Sequence, residues 1–243
     1  MGIPQREERQ KYSVCLCVDE RTRMRISMIS KTAAAAFALC SHIIEAAAAT
    51  AAAAPNVTAV ALGRSCTSYP GFDGSGAGPF IAIAASTGRV VDGIGLNAAY
   101  YADGTHRYGY VMAPASVPTT NITFRCSNST LQAHVNTGTN GETIWQDLVI
   151  SGDPTLEGAL GFGFPEDRYA NIPVEPYWHF LDGQQIPGVF IGAKGSSTFG
   201  FVDNWAGVAG EYYLLRLLGA EGFNKWELTA RDTVGFLQVT YDY

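Results

Sequence analysis

Charge is scarce in this chain of 243 residues: Asp, Glu, Lys and Arg together make up 16%. The net charge is −6, and no run of Lys and Arg occurs after residue 31. Without a basic stripe there is no electrostatic footprint for a phosphate backbone, which excludes nucleic acid as a partner. Cysteine is scarce too, with five in all and only Cys66 and Cys126 beyond residue 55. There is no C-x-x-C and no histidine pair at helical spacing, so no metal site and no cofactor are expected. G-x-S-x-G is missing, which sets aside a serine hydrolase of that type.

Apolar residues, by contrast, make up 47%, enough to bury a core, and 27 glycines and 11 prolines punctuate them. Frequent turn residues between short apolar runs favour an all-β fold. Runs such as PFIAIAAS (79–86), STLQAHVN (129–136) and ETIWQDLVIS (142–151) are rich in strand formers and of strand length. The stretch EPYWHFLDGQQ (175–185) is the exception. Tyr177, Phe180 and Leu181 fall at helical spacing between a Pro and a Gly, and a short helix is expected there.

Residues 1–55 read as a basic segment followed by an Ala-rich signal or helical leader, and residues 56–243 as one domain. Arg21, Arg23, Arg25 and Lys31 precede an apolar stretch with A-x-A cleavage options. An uncleaved signal anchor is the alternative, but His42 and Glu45 interrupt the run, so no stable membrane span is expected. Three N-x-[ST] sequons, at Asn56, Asn121 and Asn128, agree with secretion and glycosylation. In an exported chain Cys66 and Cys126 would form one disulfide, with two free buried thiols as the alternative.

The order of motifs resembles the pepsin-like aspartic proteases. GALGFGFP (158–165), then PYWHFL, then PGVFIGA match that family's hydrophobic-hydrophobic-Gly element, its following helix and its next strand. Downstream, Phe199-Gly200, Asp203, Gly210, Trp226, Leu228 and Asp232 keep step with family positions. The resemblance implies a pepsin-like β-barrel lobe with one or two short helices. Leu160 and Gly161 would pass beneath the active site, where glycine lets two backbones cross. The hairpin tip at Thr137, Gly138 and Thr139 would be the flap over substrate, with Asp147 the later acid. Asp92 in RVVDGIGLN would be the catalytic acid, although Gly93 and Ile94 stand where the family has Thr or Ser and then Gly.

What the resemblance implies is an endopeptidase acting on a peptide or protein substrate by an Asp-activated water. That chemistry needs two aspartates sharing a proton, and no D-[TS]-G occurs to supply the second. The chain therefore resembles one incomplete lobe, which a homodimer would have to complete. Two readings from other classes stand beside it. One is a non-catalytic lobe that keeps only the peptide groove. The other is a secreted carbohydrate-binding β-sandwich using Tyr100, Tyr101, Tyr108 and Tyr110.

Overall fold

Alternation of buried and exposed residues runs through most of the strands and sets their faces. In a computed structural model of the chain, the structure describes residues 56–240, with 103–106, 116–120, 138–141, 152–157, 167–169, 207–209 and 222–223 excepted. The Ala-rich leader lies outside the described residues. Thr58–Ala61 (β1) is followed by a 3₁₀ turn at Cys66–Ser68, capped by the Ser65 side chain. Gly76–Ala85 (β2), Asn97–Ala102 (β3), Arg107–Pro114 (β4), Phe124–Ser127 (β5) and Thr130–Val135 (β6) come next. Ile144–Ser151 (β7), Ala159–Phe162 (β8), Ile172–Pro173 (β9), Glu175–Leu181 (β10) and Gln184–Gly192 (β11) follow. Thr198–Ala206 (β12), Gly210–Leu218 (β13) and Thr233–Thr240 (β14) complete the order. The fold is thus all-β, and every strand pairing is antiparallel.

The expected helix at 175–185 is not formed. Those residues make β10, a turn and the start of β11, in register from Glu175↔Gly192 to Leu181↔Gln184. The physical reason is the Asp182-Gly183 pair. Both adopt left-handed φ, 51° and 78°, the geometry that a two-residue hairpin loop needs. Tyr177 and His179 are buried while Trp178 between them is exposed, a period of two rather than 3.6.

The strands join into a circuit. From β2 the hydrogen-bonded neighbours run β5, β6, β7, β8, β4, β13, β12 and β14, and β14 pairs back onto β2. β14 manages this by pairing with β12 through Thr233–Gly235, with β2 through Phe236–Thr240, and with β11 through Gln238 and Val239. β11, β10 and β1 extend from it as a wing, and β3 and β9 pair on the outside of the path with β4 and β7. Phe80, Phe124, Leu131, Leu148, Leu160, Phe162, Phe199 and Phe201 form one core. Each such side chain contributes about 1.5–3 kcal/mol by leaving water. Tyr177, Phe190 and Phe236 form a smaller cluster under the wing.

Cys66 and Cys126 are disulfide-bonded, which joins the 3₁₀ turn to β5 across a sequence separation of 60. Closing a loop of that length removes unfolded-state entropy worth about 4 kcal/mol. Among the described residues, no helix is long and apolar enough to cross a membrane.

Candidate functional site

The Asp92 loop leaves β2 and is built around its own carboxylate. Asp92 Oδ1 accepts from the Thr87 N–H and the Thr87 hydroxyl, both at 2.8 Å, and Oδ2 accepts from the Gly88 N–H at 3.0 Å. The Thr233 hydroxyl in turn donates to the Thr87 carbonyl at 2.7 Å, which fastens the loop to β14. Gly93 has φ +80°, and its N–H donates to the Ala84 carbonyl. A β-branched Thr is strained at such a φ, so the loop has a backbone reason to carry Gly there. The side chain of Asp92 is exposed, and its hydrogen-bond partners among the described residues are all on its own loop.

Leu160 is fully buried in β8, and Gly161 beside it is buried too. A Cβ at Gly161 would collide with the Gly109 carbonyl of β4 and lie 2.5 Å from the Phe164 ring. Gly163 then turns the chain with φ +68°. The two glycines let Phe164 fold back over its own strand. In its strand Gly161 pairs with Tyr110 of β4 and Val149 of β7. Thr137 is buried after β6 and its hydroxyl has no partner among the described residues, while Gly138 and Thr139 lie outside them. Asp147 is exposed on β7.

Register brings a different set of residues together. Tyr101 of β3 lies opposite Tyr108 of β4, and Tyr110 lies opposite Gly161 of β8. Their rings share one outer face. Tyr101 and Tyr108 stack at 5.8 Å, and Tyr101 meets Tyr110 edge-on at 5.3 Å. Phe164, folded over Gly161, closes the group at 5.6 Å from Tyr108 and 5.2 Å from Tyr110. Burial, and then the neighbouring Tyr101 hydroxyl, push the Tyr212 phenol up. Tyr100 points the other way, edge-on to buried Phe162 at 6.0 Å, and its hydroxyl accepts from the Asn136 N–H.

Phe164 also walls a cleft of about 460 Å³ lined by Trp145, Asp147, Glu166, Asn171 and Pro173. The outer face of β5, β6 and β7 holds Trp145 and Asp147 in place. Arg125 lies 4.3 Å over the Trp145 ring, and His134 stacks on that ring at 4.6 Å. The Arg125 Nε–H donates to Gln132 Oε1 at 2.9 Å, and Gln132 Nε2 donates to Asp147 Oδ1 at 2.8 Å. Asn171 donates from Nδ2 to the Phe164 carbonyl at 3.1 Å, and its buried Oδ1 has no partner among the described residues. The tyrosine cluster and a cleft with two carboxylates and an amide therefore adjoin through the buried Phe164. Trp145, Phe164 and Asn171 carry no local sequence signal; only the pairing of β7 with β6, β8 and β9 places them.

One further pair bears on the chemistry. His179 Nε2 and Ser197 Oγ are 2.6 Å apart, but both side chains are sealed, at 0% and 1% exposure. The His179 ring stacks on Phe190 at 3.7 Å and meets Phe236 edge-on at 4.5 Å, and its Nδ1 has no hydrogen-bond partner among the described residues. With no orienting acid and no access, the pair cannot serve an incoming substrate. Burial lowers the His179 pKa to about 4. Among the described residues no group of three or more His, Cys, Asp and Glu is gathered as a metal site.

No protein-family model matches the chain, and no curated protein matches it.

Proposed function

We propose that this chain is an exported glycan-binding β domain that holds a sugar chain along the Tyr101–Tyr108–Tyr110 ledge and in the adjoining cleft. A sugar ring presents an apolar C–H face and a rim of hydroxyls. Aromatic faces suit the first, and carboxylates and amides accept from or donate to the second. The observation that carries the reading is Phe164, a buried residue whose ring packs against the tyrosine cluster and which also lines the cleft, so that the exposed tyrosines and the cleft adjoin. The Cys66–Cys126 disulfide supports an oxidising compartment. The test is binding of neutral and charged oligosaccharides, followed by tryptophan fluorescence since Trp145 lines the cleft. Tyr108→Ala should weaken binding about tenfold or more, as loss of an aromatic anchor does. Equal binding by both proteins would refute the reading.

A second reading, peptide hydrolysis of the pepsin type with Asp92 as its acid, draws on one observation. The Asp92 carboxylate is exposed and fixed by three donors. It needs a second carboxylate from another copy to share the proton. Acid cleavage of an unfolded protein that vanishes in Asp92→Asn would establish it; cleavage that is absent, or the same in the variant, would end it.

A further inference from the structure

The two-residue strand β9 divides two clefts. Asn171 and Pro173 line the ledge-side cleft, and the same two residues line a second cleft of about 370 Å³ together with Arg64, Ile172, Glu175 and Lys194. The two are therefore neighbours across a narrow rib. The second differs in charge. Arg64 and Lys194 are both exposed, and neither forms an ion pair with any described residue. The Glu175 carboxylate, the one acid among the described residues of this cleft, accepts a hydrogen bond from the Tyr177 hydroxyl at 2.8 Å.

Lys194 is presented by a fixed turn. Ala193 and Ser196 exchange backbone bonds of 2.8 and 3.0 Å, the Gly195 N–H donates to the Tyr177 hydroxyl at 3.0 Å, and the Lys194 carbonyl accepts from the Glu221 N–H. Lys194 and Gly195, at φ +50° and +77°, form the two-residue loop of that hairpin, so the Lys194 side chain starts from a fixed backbone. Arg64 follows Gly63, whose φ is +73°, and the chain just before it is tied to β10 by the Leu62 N–H and the Pro176 carbonyl.

We propose that Arg64 and Lys194 form an anion-reading subsite continuous with the ledge-side cleft, so that the ligand is a polysaccharide whose sugar units carry carboxylate or sulfate groups. This rests on the glycan-binding reading. Arg offers a planar fork to such an oxyanion and Lys a point charge, a combination that suits either substituent. Neutral sugars would use the ledge alone.

The experiment measures Kd by calorimetry for oligogalacturonate (carboxylate), dextran sulfate oligomers (sulfate) and xylohexaose (neutral). Wild type is compared with the Arg64→Gln/Lys194→Gln double variant and with Tyr108→Ala. At least one anionic probe should bind about tenfold or more tighter than the neutral one. The double variant should erase that preference without touching neutral binding, and Tyr108→Ala should weaken both. The carboxylate and sulfate arms tell which substituent is read. Equal affinity for neutral and anionic probes, or a preference that survives the double variant, overturns the subsite while the glycan reading stands. No binding of any oligosaccharide overturns both. Anion binding that depends on Arg64 and Lys194 but ignores Tyr108→Ala keeps the subsite and overturns the ledge.

Discussion

Lowering the pH toward 4 should destabilise this protein through His179. The imidazole is fully buried between Phe190 and Phe236, and burial holds its pKa at about 4 instead of the ordinary 6.5. The folded pKa lies below the unfolded one, so protons favour the unfolded chain. The stability that depends on a neutral ring is complete above pH 6.5 and is lost as pH falls toward 4. A gap of about 2.5 units corresponds to about 3 kcal/mol in full, of which about 2 kcal/mol is gone by pH 5. The assay is urea unfolding at half-unit steps from pH 7.5 to 4, on wild type and on His179→Phe/Ser197→Ala. The second change avoids stranding the Ser197 hydroxyl that now meets Nε2. Wild type should lose stability through that window and the double variant should be flatter by about 3 kcal/mol. Parallel profiles would refute the reasoning, since they would mean that the ring is hydrated or already charged in the fold. The Asp73 carboxyl, held down to about 2 by the Gly76 and Ser75 N–H groups, loses its contribution only below its ordinary 3.8, outside the histidine window.

Three other outcomes follow from the packing. Gly161→Ala should destabilise the fold by about 3 kcal/mol, because its Cβ meets the Gly109 carbonyl and the Phe164 ring; a urea midpoint like that of wild type would contradict this. Cys66→Ser/Cys126→Ser should cost about 4 kcal/mol in the same assay, and a loss below about 1 kcal/mol would mean that the unfolded chain is already constrained there. Expressed through a secretory route, the chain should carry a glycan at Asn128, exposed on the two-residue turn between β5 and β6, and none at Asn121, whose Oδ1 is buried and whose side chain packs on Gly95. Deglycosylation followed by mass spectrometry of Asn128→Gln and Asn121→Gln reads this directly.

Strands were legible wherever one face meets the core, because alternation is a local signal. β6, with Leu131, Ala133 and Val135 buried between half-buried neighbours, shows it plainly. The hairpin that joins β6 to β7 could be read for the same reason. The stretch 175–185 misled because its Pro and Asp-Gly are punctuation shared by helices and hairpins, while the buried Tyr177–His179 alternation spans too few residues to outweigh three apolar residues at helical spacing. The tyrosines could be named from sequence, but not their partners. Phe164 reaches Tyr108 and Tyr110 only because Gly161 leaves room above β8, and Trp145 joins the cleft only through the register of β7 with its neighbours. Distances across strands far apart in sequence are not written in any window of residues.

The triple pairing of β14 has a consequence for how the chain is made. Ile81 of β2 is hydrogen-bonded opposite Thr240, so the circuit stays open until residues 233–240 have left the ribosome. Until then β2, β11 and β12 each wait with an unpaired edge, and such edges recruit other strands, including those of another nascent copy. Non-local closure of this kind is slow, on the order of milliseconds to seconds. Yield in the cell should therefore depend more on how well those waiting edges are shielded during synthesis than on the stability of the finished fold.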